Sequence, residues 1–139
     1  MNVSNDNARH RVAVLGASPK ADRYSNLAIR SLVDHGYTTI PVHPAYEEIE
    51  GLPVAARLEA IQDHVDTLTV YVGPRNVFPL IDSIVALRPG RVILNPGTES
   101  PELKVRLREA GIPYLEACTL VMLSTGRFAT HTDLGAAVR

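Results

Sequence analysis

The chain has 139 residues, 45% of them apolar and 21% charged, with a formal net charge of -1. That size and mix fit one globular domain that buries its own core, and the near-zero charge supplies no global field for nucleic acid or an anionic membrane. The one cysteine, Cys118, excludes an internal disulfide and a cysteine zinc cluster, and no apolar run approaches the roughly 20 residues that span a bilayer.

Residues 1–10 read as a loose tail or short helical lead-in; they are polar and lack the apolar centre of a secretion signal. Residues 11–15 are a short valine-rich run stopped by Gly16, a first strand buried on both faces. A polar loop, residues 16–26, precedes Leu27, Ile29, Leu32 and Val33 at helical spacing, with Gly36 where a helix ends. Residues 38–42 form a second β-branched run closed by Pro44. Residues 45–51 read as a turn or short helical segment and 53–62 as another short helix. Residues 67–72 give a third strand ended by Gly73 and Pro74. A helix over 76–87 follows, with Val77, Leu80, Ile81, Ile84 and Val85 on one face. Residues 91–94 form a fourth strand before Asn95, Pro96 and Gly97. Ser100 caps a helix that opens on Pro101 and Glu102 and ends at Gly111. Residues 112–115 form a fifth strand, 118–123 open a last helix, and 125–139 read as a tail or oligomer arm.

Alternating strands and helices predict an α/β fold: a Rossmann-like, doubly wound parallel sheet of about five strands in three αβα layers, over residues 11–124. Such sheets bind ligands beyond the carboxyl ends of their strands, where the strand order reverses. The loops after Leu15, Val42, Val72 and Leu94 are therefore the places to look. In the first, Gly16 lets the backbone turn toward a phosphate, helix amides and Ser18 can donate to it, and Lys20 and Arg23 add positive charge. The loop lacks the spaced glycines of a dinucleotide site, and an ordinary strand-to-helix turn is the competing explanation of Gly16. The second strand ends Val42, His43, Pro44, with no acid to hold a ribose diol, which favours a ribose that carries a phosphate, as in coenzyme A or NADP.

The segments Gly16-Ala17-Ser18-Pro19-Lys20 with Arg23 and Ser25, and Val42-His43-Pro44-Ala45-Tyr46-Glu47-Glu48-Ile49-Glu50-Gly51, resemble the CoA-binding domain family. These are small proteins similar to the N-terminal domain of the succinyl-CoA synthetase alpha subunit. The resemblance runs from about Arg11 to Cys118. It implies a Rossmann-like fold with CoA over the strand ends: Gly16, Ala17, Ser18 and Lys20 along the phosphates, and Val42, His43 and Pro44 beside the adenosine. Val72, Gly73, Pro74 and Asn76 match the family's third-strand loop by position, and Asn95, Pro96 and Gly97 its fourth. Cys118 matches a cysteine common near the family's end. Thr119 departs from the proline that often follows it, and Gly73-Pro74 is less polar than usual.

Tyr24, Tyr46 and Tyr71 are candidates to stack on adenine, with Tyr71 placed inside a strand and so better suited to packing. Arg75 and Arg91 are further candidate phosphate partners, although Arg91 begins a strand at the wrong end of the sheet. His10, His35, His43, His64 and His131 show no metal-ligand spacing and no pairing with Ser or Cys, and Asp82, Glu99, Glu102 and Glu109 read as caps and surface charge. The synthetases keep their phosphorylated histidine in a second domain, which is not expected here. The expectation is a cytoplasmic protein that binds CoA or acyl-CoA without catalytic residues, alone, as a homo-oligomer or with a protein partner. An NAD(P)-binding oxidoreductase-like or regulatory protein, and a scaffold with a vestigial nucleotide site, are the alternatives. Cys118 lies at the binding edge, where a mixed disulfide with CoA competes with a plain packing role.

Overall fold

In a computed structural model of the chain, residues 7–129 are described. The elements run β1 (Arg11–Leu15), α1 (Tyr24–Asp34), β2 (Thr38–Val42), β3 (Glu48–Ile49), β4 (Leu52–Pro53) and β5 (Thr67–Val70). They continue with α2 (Pro74–Val77), α3 (Ile81–Leu87), β6 (Arg91–Leu94), α4 (Pro101–Ala110), β7 (Tyr114–Glu116) and α5 (Thr119–Ser124). Five strands make one parallel sheet in the order β2-β1-β5-β6-β7. The sheet is a doubly wound Rossmann-like αβα sandwich, with the order reversing between β1 and β5.

Strand alternation sends side chains into two cores. Ala13, Leu15, Leu68, Val70, Val92 and Leu94 meet Ile81, Ile84, Leu103 and Leu107 of α3 and α4. Val12, Val14 and Ile93 meet Ile29, Leu32, Met122 and Leu123 of α1 and α5 on the opposite face. Thr67, Thr69, Arg91 and Asn95 alternate out of phase with the first core, so this second face carries a line of buried polar groups. α4 begins and ends where the sequence indicates: Ser100 Oγ accepts the Leu103 amide at 3.2 Å, Pro101 takes the first turn, and Gly111 closes it.

Several elements differ from expectation. Residues 45–51 form neither a bare turn nor a helix, because Glu48–Ile49 pairs with Leu52–Pro53 as a hairpin. Residues 53–62 are mostly extended: Ala55 bridges Val42, its amide bonding Pro41 O (2.9 Å) and its carbonyl the His43 amide (3.1 Å). Only a single 3-10 turn, Leu58–Ala60, remains of that helix, and it buries Leu58. The expected helix over 76–87 starts earlier and breaks at Phe78–Leu80, since Pro79 has no amide to donate and its ring crowds the preceding turn. The third strand stops at Val70, although the Tyr71 amide still reaches Leu15 O (2.9 Å). The last strand starts at Tyr114 rather than residue 112, after the amide-less Pro113.

The packed body runs beyond residue 124. Phe128 is 1% exposed, with ring centroids 4.9 Å from Tyr37 and 5.6 Å from His10. The remaining parts of the expected tails, residues 1–6 and 130–139 with His131, lie outside the described residues.

Candidate functional site

The order reverses between β1 and β5, and the loops that follow those two strands bound the crevice at which sheets of this kind take their ligands. Gly16 forms the β1 side of it at φ +88°. A Cβ there would lie 2.7 Å from Val72 Cγ1 and 3.2 Å from the Tyr71 carbonyl carbon, so the glycine permits a close backbone crossing. The amides of Gly16 and Ala17 both donate to Val42 O at 3.2 Å. Those two donors tie β1 to β2, and Ala17 is buried, so neither amide is free to donate to a phosphate. The donors that remain come later. Among the described residues no acceptor meets the amides of Ser18, Ala21 and Asp22. The first-turn amides of α1 lack intrahelical acceptors, Arg23 at the N-cap contributes no side-chain bond, and that turn holds no acid. Lys20 and Arg23 are exposed beside them. Ser18 Oγ accepts the Lys20 amide (3.1 Å) and keeps its own proton to donate.

Two side chains that the sequence reading passed over hold this loop. Asn26 is fully buried; its Nδ2 donates to Ser18 O (2.9 Å) and to Glu50 Oε2 (3.0 Å). Arg30 donates to Asn26 Oδ1 through Nε (2.8 Å) and to Ala21 O through Nη2 (2.7 Å). A buried asparagine on the packed face of an amphipathic helix was the available signal.

At the end of β2, Val42 is buried and its carbonyl is engaged as described. His43 is half-buried, and its Nδ1 accepts the Ala45 amide (3.0 Å), leaving the proton of the neutral ring on Nε2. Its ring lies 4.6 Å from that of Tyr46, tilted by 45°. Pro44, Tyr46 and Tyr24 are exposed, Tyr24 by 73%. Tyr71 is different: its Oη is buried near Thr119 and Thr69 without hydrogen-bonding geometry, and burial pushes the phenol up to about 12. Tyr71 therefore stays protonated and packs in the core rather than on a ligand.

The loops after β5 and β6 meet: a Cβ on Gly73 would lie 4.0 Å from Gly97 O. Val72 and Gly73 are half-buried, and Pro74, Asn76, Pro96 and Gly97 are exposed. Asn95 is the exception. It is buried, donating to Thr69 Oγ1 (2.7 Å) and Val70 O (2.9 Å) while its Oδ1 accepts the Thr119 amide (2.9 Å). Both of its amide protons are engaged by the protein, so it joins β5, β6 and α5 rather than meeting a ligand as expected. Cys118 is half-buried at the N-cap of α5, at the same end of the sheet.

The family model of the CoA binding domain matches residues 10–124. The chain belongs to that family. An uncharacterized protein of Bacillus subtilis, YneT, is 34% identical over 61 residues, 44% of this chain and 45% of YneT. An acetate–CoA ligase (ADP-forming) of Archaeoglobus fulgidus is 35% identical over 68 residues, 49% of this chain and 10% of the ligase. The chain thus matches less than half the length of either relative. The structure of a Thermus thermophilus protein, cell-free ID.343, is 32% identical with a TM-score of 0.79, covering 91% of this chain and 95% of that one.

In this CoA binding domain the expected arginines part company. Arg91 is 5% exposed at the amino end of β6, the end opposite the crevice. Its Nε donates to Thr67 Oγ1 (2.8 Å), its Nη2 to Phe128 O (2.9 Å), and its guanidinium lies 4.4 Å from the Phe128 ring centroid. Burial lowers it to about 10, so it remains a cation, and its role is structural. His10 shares Thr67 Oγ1 at 2.8 Å; burial pushes its imidazole below the ordinary value, with Asp66 raising it and Arg91 lowering it. Arg75, on α2, is exposed at the crevice end. A separate groove of about 560 Å³ lies between Phe78, Pro79 and α4 and shares no residue with the crevice loops. Among the described residues no cluster of His, Cys, Asp and Glu could hold a metal ion, and no helix is long and apolar enough to cross a membrane.

Proposed function

We propose that this domain binds coenzyme A or acyl-CoA and carries, senses or hands on the cofactor without catalysing a reaction itself. The observation that carries the reading is the uncapped start of α1, with the unaccepted amides of Ser18, Ala21 and Asp22 beside Lys20 and Arg23. Such a start receives a pyrophosphate through amide donors and the helix dipole together. His43, Pro44 and Tyr46, and the exposed Tyr24, offer flat faces to the adenosine end. Val72, Gly73, Pro74 and Asn76 with Pro96 and Gly97 flank the path of the pantetheine arm toward Cys118. An NAD reading calls for a carboxylate at the end of β2, where this chain has His43 and Pro44. We place the protein in the reducing cytoplasm, passing its ligand to a protein partner or to a second copy of itself.

A thermal-shift panel of CoA, acetyl-CoA, NAD, NADP and ATP tests this. CoA at about 100 times its dissociation constant stabilises by about 2.7 kcal/mol, a rise of about 10 °C at this size. A rise with NAD alone replaces this reading with the oxidoreductase-like one, and no rise with any ligand leaves a scaffold with a vestigial site.

A further inference from the structure

The β3–β4 hairpin lies outside the main sheet, and its turn breaks a local rule. Ile49 pairs with Leu52, so the loop is the two residues Glu50 and Gly51, at φ +53° and +75°. Two consecutive positive φ values define a type I′ turn, whose first position suits Asn, Asp or Gly. Glutamate there is strained, and backbone strain persists where surrounding contacts hold it. Here the contact is Glu50 Oε2 accepting from Asn26 Nδ2 at 3.0 Å, across 24 residues of sequence. Asparagine would suit the turn, but its side chain is one methylene shorter and does not span to α1.

We propose that Glu50 and Asn26 are positioning residues, a clasp that presets the loop after β1 for its anionic ligand. The clasp has two arms. Asn26 Nδ2 holds Ser18 O, and Asn26 Oδ1 orients Arg30, whose Nη2 holds Ala21 O. In a trans peptide the carbonyl and the following amide point in opposite directions. Drawing Ala21 O toward Arg30 therefore turns the Asp22 amide outward, away from α1. Glu50 fixes Asn26 from the far side and so acts on the loop without touching the ligand. A preset loop removes ordering cost from binding, which is how a distant hairpin governs affinity.

This inference rests on the CoA reading for its ligand but not for its physics, and the test keeps the two apart. Glu50→Asn is expected to change the melting temperature little, because the better turn residue offsets the lost acceptor of the buried Asn26 Nδ2, while weakening CoA binding about tenfold by calorimetry. Glu50→Gln keeps the reach and the acceptor oxygen, so it is expected to bind like the parent. In ligand-free protein, the backbone heteronuclear NOE of residues 20–23 is expected to fall in Glu50→Asn and not in Glu50→Gln. A loop equally rigid in Glu50→Asn and parent overturns the clasp whatever the ligand. Unchanged CoA affinity in Glu50→Asn, with the parent binding, overturns its role in positioning. A parent that binds no CoA overturns the cofactor reading, and the clasp then stands or falls on the relaxation data.

Discussion

Replacing Gly16 by alanine is expected to lower the unfolding free energy by about 3 kcal/mol and the melting temperature by about 10 °C. Two costs combine. The residue sits at φ +88°, where a side chain is strained, and the added Cβ lies 2.7 Å from Val72 Cγ1 and within 3.3 Å of the Tyr71 carbonyl. Val72 is short and branched, so it cannot swing its methyl away as a lysine or methionine could. Relief must come from the backbone, by parting β1 from the end of β5 and opening the crevice. CoA affinity is expected to fall with stability. Gly97→Ala supplies the comparison: it has a similar φ of +89° but nothing within 4 Å of the new Cβ, so it carries the strain alone, about 1 kcal/mol. Equal losses in the two variants, by denaturant titration, would mean that the close crossing at Gly16 has no energetic weight.

Asn95→Ala is expected to cost about 3 kcal/mol. The change strips the buried Thr119 amide of its acceptor and Val70 O and Thr69 Oγ1 of a donor. Thr69 keeps one partner, Thr119 Oγ1 at 2.8 Å, so the start of α5 keeps that side-chain tie to β5 and loses its backbone tie to β6. Cys118 occupies the N-cap position of that helix, so the crevice edge loosens at the same time. Native-state hydrogen exchange should show the Thr119 amide opening faster in the variant than in the parent. A loss below about 1 kcal/mol, with Thr119 still protected, would contradict the role given to Asn95.

Strands 11–15, 38–42 and 91–94 were legible to the residue, because each is a β-branched run with punctuation on its flanks. The loops after Leu15, Val42, Val72 and Leu94 followed from the alternation of strands and helices, which gathers the carboxyl ends of parallel strands at one edge. What escaped has physical causes. Two-residue strands are too short to show a period, and Glu50-Gly51 is not a turn pair that announces a hairpin. Val77, Leu80, Ile81 and Ile84 keep helical spacing across Phe78–Leu80, so the pattern runs through a break that Pro79 alone marked. The donor assignment at Gly16 and Ala17 depends on Val42 O, a tertiary contact with no local sign. Asn26 joins positions 18, 30 and 50, and Arg91 reaches Phe128; separations of that kind leave no spacing to read.

The most direct test of the phosphate cradle is an amide chemical-shift titration of the protein with CoA. Binding over the loop after β1 predicts large, saturable shifts for Ser18, Lys20, Ala21, Asp22 and Arg23, with Val72 and Gly73 following. Repeating the titration with 3′-AMP, which lacks both phosphates of the pyrophosphate, should leave Ala21 and Asp22 nearly unmoved. If CoA instead shifts Phe78, Val105 and Arg106 in the α3–α4 groove and leaves residues 18–23 in place, the cradle is not where the ligand binds.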